Sequence, residues 1–310
     1  SATSLADMSE TAKLDASDVA ELQRVAGINI WIGSKKPLPQ FYETLETWGN
    51  ANAAAVADYL WFVDDEALAQ HARGFLVARG IHNIFVINEF MSPLRNGETV
   101  PLSTFLHEQV WLETRDFTGL KQPPHYEFGH NLCDVRPLFG LVFKSWIDAG
   151  PAVLRQRDGQ SVADPPRAYS HWGWIDHHTY VGNLLKFVDG GRDLNDFDIV
   201  SFRYVDAPHI FTSGQLTIYR NAPSTNFLWQ RIDRKTLTRV FNRDEAAKGA
   251  TQSMVFDEFW SSNNAIFSPA DTGVRIKISF VSGLSPTIIA ARVKHLASDA
   301  ADKPMIVAAP

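Results

Sequence analysis

Between residues 27 and 87 the chain reads strand, helix, strand, helix, strand, and that alternation leaves few folds open. Residues 27–32 (GINIWI), 59–63 (YLWFV) and 83–87 (NIFVI) are short apolar runs bounded by Gly, Asn or Asp, the pattern of strands buried on both faces. Residues 39–50 repeat at helical spacing, with Phe41, Leu45 and Trp48 on one face. Residues 66–79 do the same and are expected to turn Leu68, His71, Phe75 and Leu76 inward. Strands separated by helices pair in parallel through right-handed crossovers. The expected fold class is α/β, with a mostly parallel central sheet flanked by helices.

The rest of the chain extends this frame. A helix is expected at 102–111, and 125–148 reads as helical in parts, broken at Pro137, with Phe139, Val142, Phe143 and Trp146 periodic. Residues 150–167 are polar and Pro-rich, which predicts a surface loop. A short helix at 182–188 and a loop at 189–196 follow, then strands at 197–202 and 215–220. Helical turns are expected at 226–232 and within 234–248, and a further strand at 275–281. Residues 1–26 read as a polar extension with a short helix at 17–25, and 296–310 as an Ala-rich peripheral tail. No internal repeat or linker divides 27–295, so one domain is expected there.

Composition removes several function classes. At 310 residues and 45% hydrophobic, the chain has ample material for one large core. Its net charge of −6 and lack of a basic block argue against a surface that tracks nucleic-acid phosphates. There is no run of about eighteen apolar residues and no charged-then-apolar leader, so no membrane segment is expected. A cytoplasmic location is the expectation; a Golgi-lumen catalytic domain separated from its anchor is the alternative. A lone cysteine, Cys133, rules out an internal disulfide and a multi-cysteine zinc site, and its apolar setting reads as a small buried hydrophobe.

The chemistry concentrates in residues 170–183, SHWGWIDHHTYVGN. An apolar run that ends in Asp176, His177 and His178 reads as a buried strand delivering polar residues at its carboxyl end. Asp176 and His178 lie two apart, so an extended backbone puts both on one side and His177 on the other. Carboxylate oxygen with imidazole nitrogen suits Mn, Zn or another first-row divalent cation better than Ca or Mg. The plainer reading is a polar strand end, with a capping Asp and two partly exposed histidines.

The order of segments resembles GT-A-type glycosyltransferases, in particular bacterial polysaccharide-type sugar transferases. The boxes that carry the resemblance are GINIWIGS, YLWFVDD, Cys133-Asp134-Val135-Arg136-Pro137-Leu138-Phe139-Gly140, Trp172-Gly173-Trp174-Ile175-Asp176-His177-His178, Ser213-Gly214-Gln215-Leu216-Thr217-Ile218-Tyr219-Arg220-Asn221, and Phe256-Asp257-Glu258-Phe259. They run in family order from about residue 27 to 282. One box departs: the family's D-x-D stands here as Asp176-His177-His178.

The resemblance implies a GT-A-like, Rossmann-like sheet and transfer of a sugar from a nucleotide-sugar donor to a saccharide, glycan or other hydroxyl acceptor. It implies a divalent cation, Mn or else Mg, held by Asp176 and His178, with His209 or His295 as a third ligand. A late carboxylate, Asp257 or Glu258, is the implied general base of an inverting displacement; an acidic helix start is the plainer reading of the pair. Gly33 and Ser34 are implied backbone contacts to the nucleotide. Asp64 or Asp65 is a candidate partner for base or ribose, or else a helix N-cap for residues from Glu66 onward. Arg136 suits a phosphate, or a local clamp on Asp134. Trp172, Trp174 and Trp260 are the expected cleft aromatics, with Trp61 and Trp146 expected in the core. Two alternatives stand beside transfer: a catalytically silent carbohydrate- or nucleotide-sugar-binding protein on the same fold, and a metal-dependent hydrolase. The hydrolase lacks any H-x-H or H-E-x-x-H spacing.

Overall fold

The computed structural model describes residues 23–32, 39–123, 135–159, 167–175, 179–188, 191–203, 216–231, 234, 276–280 and 306–307. β1 (Val25–Trp31), α1 (Pro39–Trp48), the short α2 (Ala51–Ala54), β2 (Ala57–Val63), α3 (Glu66–Ala78) and β3 (Ile84–Ile87) form the expected alternation. A small hairpin, β4 (Phe90–Met91) with β5 (Thr99–Val100), leads into α4 (Leu102–Thr118). A 3-10 turn (Arg136–Leu138), α5 (Phe139–Val142) and α6 (Lys144–Arg157) then carry the chain to β6 (His171–Ile175). Next come α7 (Leu184–Phe187), α8 (Arg192–Asp196), β7 (Ile199–Arg203), β8 (Leu216–Arg220), α9 (Pro223–Asn226), a 3-10 turn (Leu228–Arg231), β9 (Ile276–Phe280) and β10 (Ile306–Val307).

The strands build one sheet in the order β10-β9-β7-β8-β6-β1-β2-β3. Every pairing is parallel except those of β8, which runs against both β6 and β7. The mostly parallel sheet expected from the alternation is present, and helices cover both faces. On one face Phe41, Leu45 and Trp48 of α1 and Leu68, Ala69, Ala72 and Leu76 of α3 pack against Tyr59, Trp61, Val63 and Ile175. On the other, α4, α5 and α6 pack Phe105, Leu106, Phe139, Phe143 and Ile147 against Ile28, Ile30, Phe62, Trp172 and Trp174.

Five local expectations need correction. His71 is exposed on α3, because the inward stripe runs through Ala69 and Ala72, which let the helix lie close to the sheet; the imidazole sits edge-on to Tyr42 instead. The loop expected at 150–167 is helical as far as Arg157. Gly150 breaks the helix with φ 72°, and Pro151 restarts it, since proline suits a first helical position. A side chain at Gly150 is excluded, as its Cβ would lie 1.7 Å from Arg167 O. Residues 192–196, expected as loop, form α8 and bury Asp193 and Leu194. Helix α4 runs beyond 111 and ends at Gly119, whose left-handed φ of 75° suits a helix cap. Part of the expected tail, β10, is an edge strand beside β9.

The amino edge of the sheet is fastened by Asp58. It is fully buried, and Arg24 grips it with two bonds, Nε to Oδ2 at 3.0 Å and Nη2 to Oδ1 at 2.7 Å. Arg155 of α6 adds a contact at 3.3 Å, and the Tyr169 hydroxyl donates at 3.2 Å. This carboxylate ties β1, β2, α6 and the approach to β6 together.

Candidate functional site

Strands β2 and β3 extend the sheet to one side of β1, with α1 and α3 on one face. The chain then crosses the other face through α4, α5 and α6 and enters β6 on β1's other side. The connections therefore leave β1 and β6 in opposite senses, a topological switch point, where open α/β sheets hold ligands beyond the carboxyl ends of the strands. The ladders show the two strands parting there. The β1–β6 ladder ends at Ile28–Trp174, whereas β1 stays with β2 to Trp31–Val63 and β6 stays with β8 to Ile175–Leu216.

Asn29 stands where the strands part. It is 3% exposed, and its Nδ2 donates to the carbonyl of Ile175, the last residue of β6, at 2.8 Å. The side chain thus replaces the next rung of the ladder and fixes the last carbonyl of β6. Sequence reasoning missed Asn29. The available signal was a single amide inside the apolar run GINIWI, a polar group that a buried strand keeps only with a partner.

Asp64 and Asp65 follow β2 on the same edge. Asp65 Oδ1 accepts from Leu68 N at 2.7 Å and caps α3, the helix-cap reading of that residue. Asp64 N donates to Trp31 O at 3.2 Å, and its Oδ1 accepts from Leu102 N at 2.8 Å, capping α4 from a distant part of the chain. Both carboxylates are thereby oriented by helix N-termini at the carboxyl edge. Arg136, in the 3-10 turn before α5, holds its guanidinium 6.0 Å from the centroid of the Trp174 ring.

The aromatic expectation is corrected for two residues. Trp172 is fully buried, donates Nε1–H to Asn226 Oδ1 at 2.7 Å, and stacks on Tyr219 at 4.6 Å. Trp174 is 2% exposed and tilts onto the same Tyr219 at 5.4 Å. Both point into the α4–α5 core because alternate residues of β6 share that face. Trp61 is core as expected, on the α1–α3 face, and Trp146 packs against the core of the opposite face, edge-on to Phe62 and Phe105.

Gly33, Ser34, Cys133, Asp134, Asp176, His177, His178, His209, Asp257, Glu258, Trp260 and His295 lie outside the described residues. Among the described residues, no group of three or more His, Cys, Asp or Glu side chains is placed to hold a metal ion. No helix among them is long and apolar enough to cross a membrane.

A model for a family of unknown function, DUF6625, matches residues 159–302, a span that takes in the 172–178, 213–221 and 256–259 boxes. No curated protein matches the chain. Two solved structures are similar at low identity. One is a 4-diphosphocytidyl-2C-methyl-D-erythritol synthase from Anaerococcus prevotii, 10% identical, with a TM-score of 0.35 over 88% of this chain and 98% of that one. The other is residues 1–349 of S. aureus TarS, 12% identical, with a TM-score of 0.32 over 91% of this chain and 67% of that one.

Proposed function

We propose that this protein is a glycosyltransferase that moves a sugar from a nucleotide-sugar donor to a hydroxyl of a saccharide or glycan acceptor, with inversion. The observation that carries this reading is the parting of β1 and β6 at a switch point, with the first four residues of the W-G-W-I-D-H-H box ending β6 and Asp176 next in sequence. A crevice of that kind suits a nucleotide, and the ordered boxes narrow the nucleotide to a sugar donor.

In this reading the residues divide the work by chemistry. Gly33 and Ser34, which follow β1, offer backbone N–H groups to the nucleotide. Asp64 or Asp65, each capping a helix through Oδ1, offers its other carboxylate oxygen to the ribose or base. Arg136 faces the diphosphate with a planar fork of donors, and Trp174 backs it from the core. Asp176 and His178, with His209 as third ligand, form a mixed carboxylate–imidazole donor set that fits Mn, and Mg less well. A bound cation there supplies charge neutralisation for the departing diphosphate. Asp257 or Glu258 takes the proton from the acceptor hydroxyl as the bond to the anomeric carbon forms.

One feature favours a second reading. His178 stands where the resembling family carries an acid, which removes a negative charge from the metal set and is compatible with binding without turnover. A thermal-shift screen of UDP, GDP, CDP and ADP, each with and without Mn, tests the proposal. A nucleotide that binds the folded protein raises the melting midpoint, and does so further as its concentration exceeds its dissociation constant. At least one should do so in a Mn-dependent manner, and no shift with any of them would reject the donor site.

A further inference from the structure

Three buried polar atoms on one face of the sheet have no hydrogen-bond partner among the described residues: Asn29 Oδ1, Tyr59 Oη and Trp61 Nε1. Register puts the residues that carry them side by side. Gly27 lies beside Tyr59 and Asn29 beside Trp61 in the β1–β2 ladder, and alternate residues of each strand share a face. The Tyr59 ring leans over Gly27, where a Cβ would lie 2.7 Å from Tyr59 Cδ1, and so directs its hydroxyl toward the β1–β6 seam. Gly27 pairs there with Gly173, so the seam carries no side chains of its own at that row. One row further on, the Asn29 amide crosses the same seam to reach Ile175 O. Helix α1 roofs the region, with Trp48 stacked on Tyr59 at 5.1 Å and Phe41 edge-on to Trp61 at 4.9 Å.

The hydrogen-bonding inventory of these atoms is specific. An indole N–H only donates, a carboxamide oxygen only accepts, and a phenol hydroxyl donates its one proton and can also accept. Burial, reinforced by the neighbouring Asp58 carboxylate, pushes the Tyr59 pKa far above its ordinary value, so the hydroxyl keeps its proton. Two donors and one acceptor complement a single water molecule, which accepts twice and donates at least once. Buried waters make about three such bonds to groups that otherwise go unpaired, and buried polar groups are seldom left unpaired in native proteins.

We propose that Asn29, Tyr59 and Trp61 build an internal water-binding site beneath α1, and that this water orients the Asn29 amide so that its Nδ2–H faces Ile175. The carboxamide has two ends. With the oxygen held by water on the α1 side, the nitrogen is left to hold the carbonyl that ends β6. The site therefore connects the α1–sheet interface to the edge where β1 and β6 part. It stands independently of the proposed activity.

Tyr59→Phe removes one hydroxyl with little change of shape, and the sign of its effect decides the question. If the hydroxyl binds water, the melting midpoint falls by about 2–4 °C. If the hydroxyl is dry and unpaired, its removal leaves the midpoint unchanged or raises it. The second readout is the Trp61 indole proton in a proton–nitrogen NMR spectrum of the wild-type protein, which should show a cross-relaxation peak to a long-lived water. An unchanged or raised midpoint for Tyr59→Phe, or an indole proton with no water contact, overturns the proposal.

Discussion

Asn29, in the middle of β1, holds the terminal carbonyl of β6 at Ile175 across 146 residues of sequence, at 2.8 Å. A side chain here does what a backbone rung does elsewhere, and the place where it does so is the place where the two strands separate. The geometry of the carboxyl edge therefore depends on one amide.

That dependence is measurable. Asn29→Leu leaves a buried carbonyl unpaired, which costs about 1–3 kcal/mol. It also frees the start of the segment that follows Ile175. On the proposed function, nucleotide affinity should fall by about tenfold or more, since small misplacements near a site are costly. Denaturant unfolding reads the first effect and calorimetry with a nucleoside diphosphate the second. Wild-type affinity in a folded Asn29→Leu protein would remove Asn29 from the site.

At the other edge, Asp58 is fully buried and answered by Arg24 and Arg155, whose side chains are partly exposed. Removing the stronger partner strands the carboxylate. Arg24→Met is expected to cost about 3 kcal/mol, toward the lower end of the range for breaking a buried pair. The double variant Asp58→Asn with Arg24→Met should lose less than the sum of its parts, because the two act as one unit. Urea unfolding of the four proteins checks this, and additive losses would contradict the network.

His171 sets a pH limit on stability. It opens β6 at 1% exposure, and burial, with the Arg220 guanidinium beside it, pushes its pKa down from 6.5 to about 3. The folded state thus binds fewer protons than the unfolded chain below about pH 6.5. Its contribution to stability is complete above that pH and is lost as pH falls toward 3, by up to ~1.4 kcal/mol per pH unit. Between pH 7 and pH 5 the wild type should lose about 2 kcal/mol more than His171→Leu. Parallel stability profiles would show that His171 is protonated in the native protein.

The half of the fold before residue 90 was legible because its signals are local. Each strand is a short apolar run, and Phe41, Leu45 and Trp48 mark one helical face without help from distant residues. What failed was decided by contacts across the chain. His71 fits a helical stripe, yet small alanines beside it set the true contact face. Residues 151–157 look like loop because Pro151 and the charges around it hide a helix that restarts after the kink at Gly150. Trp174 reads as a cleft aromatic from its place beside Asp176, but strand alternation turns it into the core. The partner of Asn29 and the capping of α4 by Asp64 were illegible for the same reason, since Ile175 and Leu102 lie far along the sequence.

The central claim is that the edge beyond β1 and β6 takes a nucleoside diphosphate with a divalent cation held by Asp176 and His178. Calorimetry of UDP or the best nucleotide from the screen, with and without Mn, on the wild type and on Asp176→Ala, His177→Ala and His178→Ala tests it most directly. Mn should tighten binding to the wild type, Asp176→Ala and His178→Ala should each abolish that gain, and His177→Ala should be milder. Because an imidazole must be neutral to coordinate, the gain should also fade below about pH 6.5. Equal affinity with and without Mn in the wild type would contradict the account and withdraw the ligand roles of both residues.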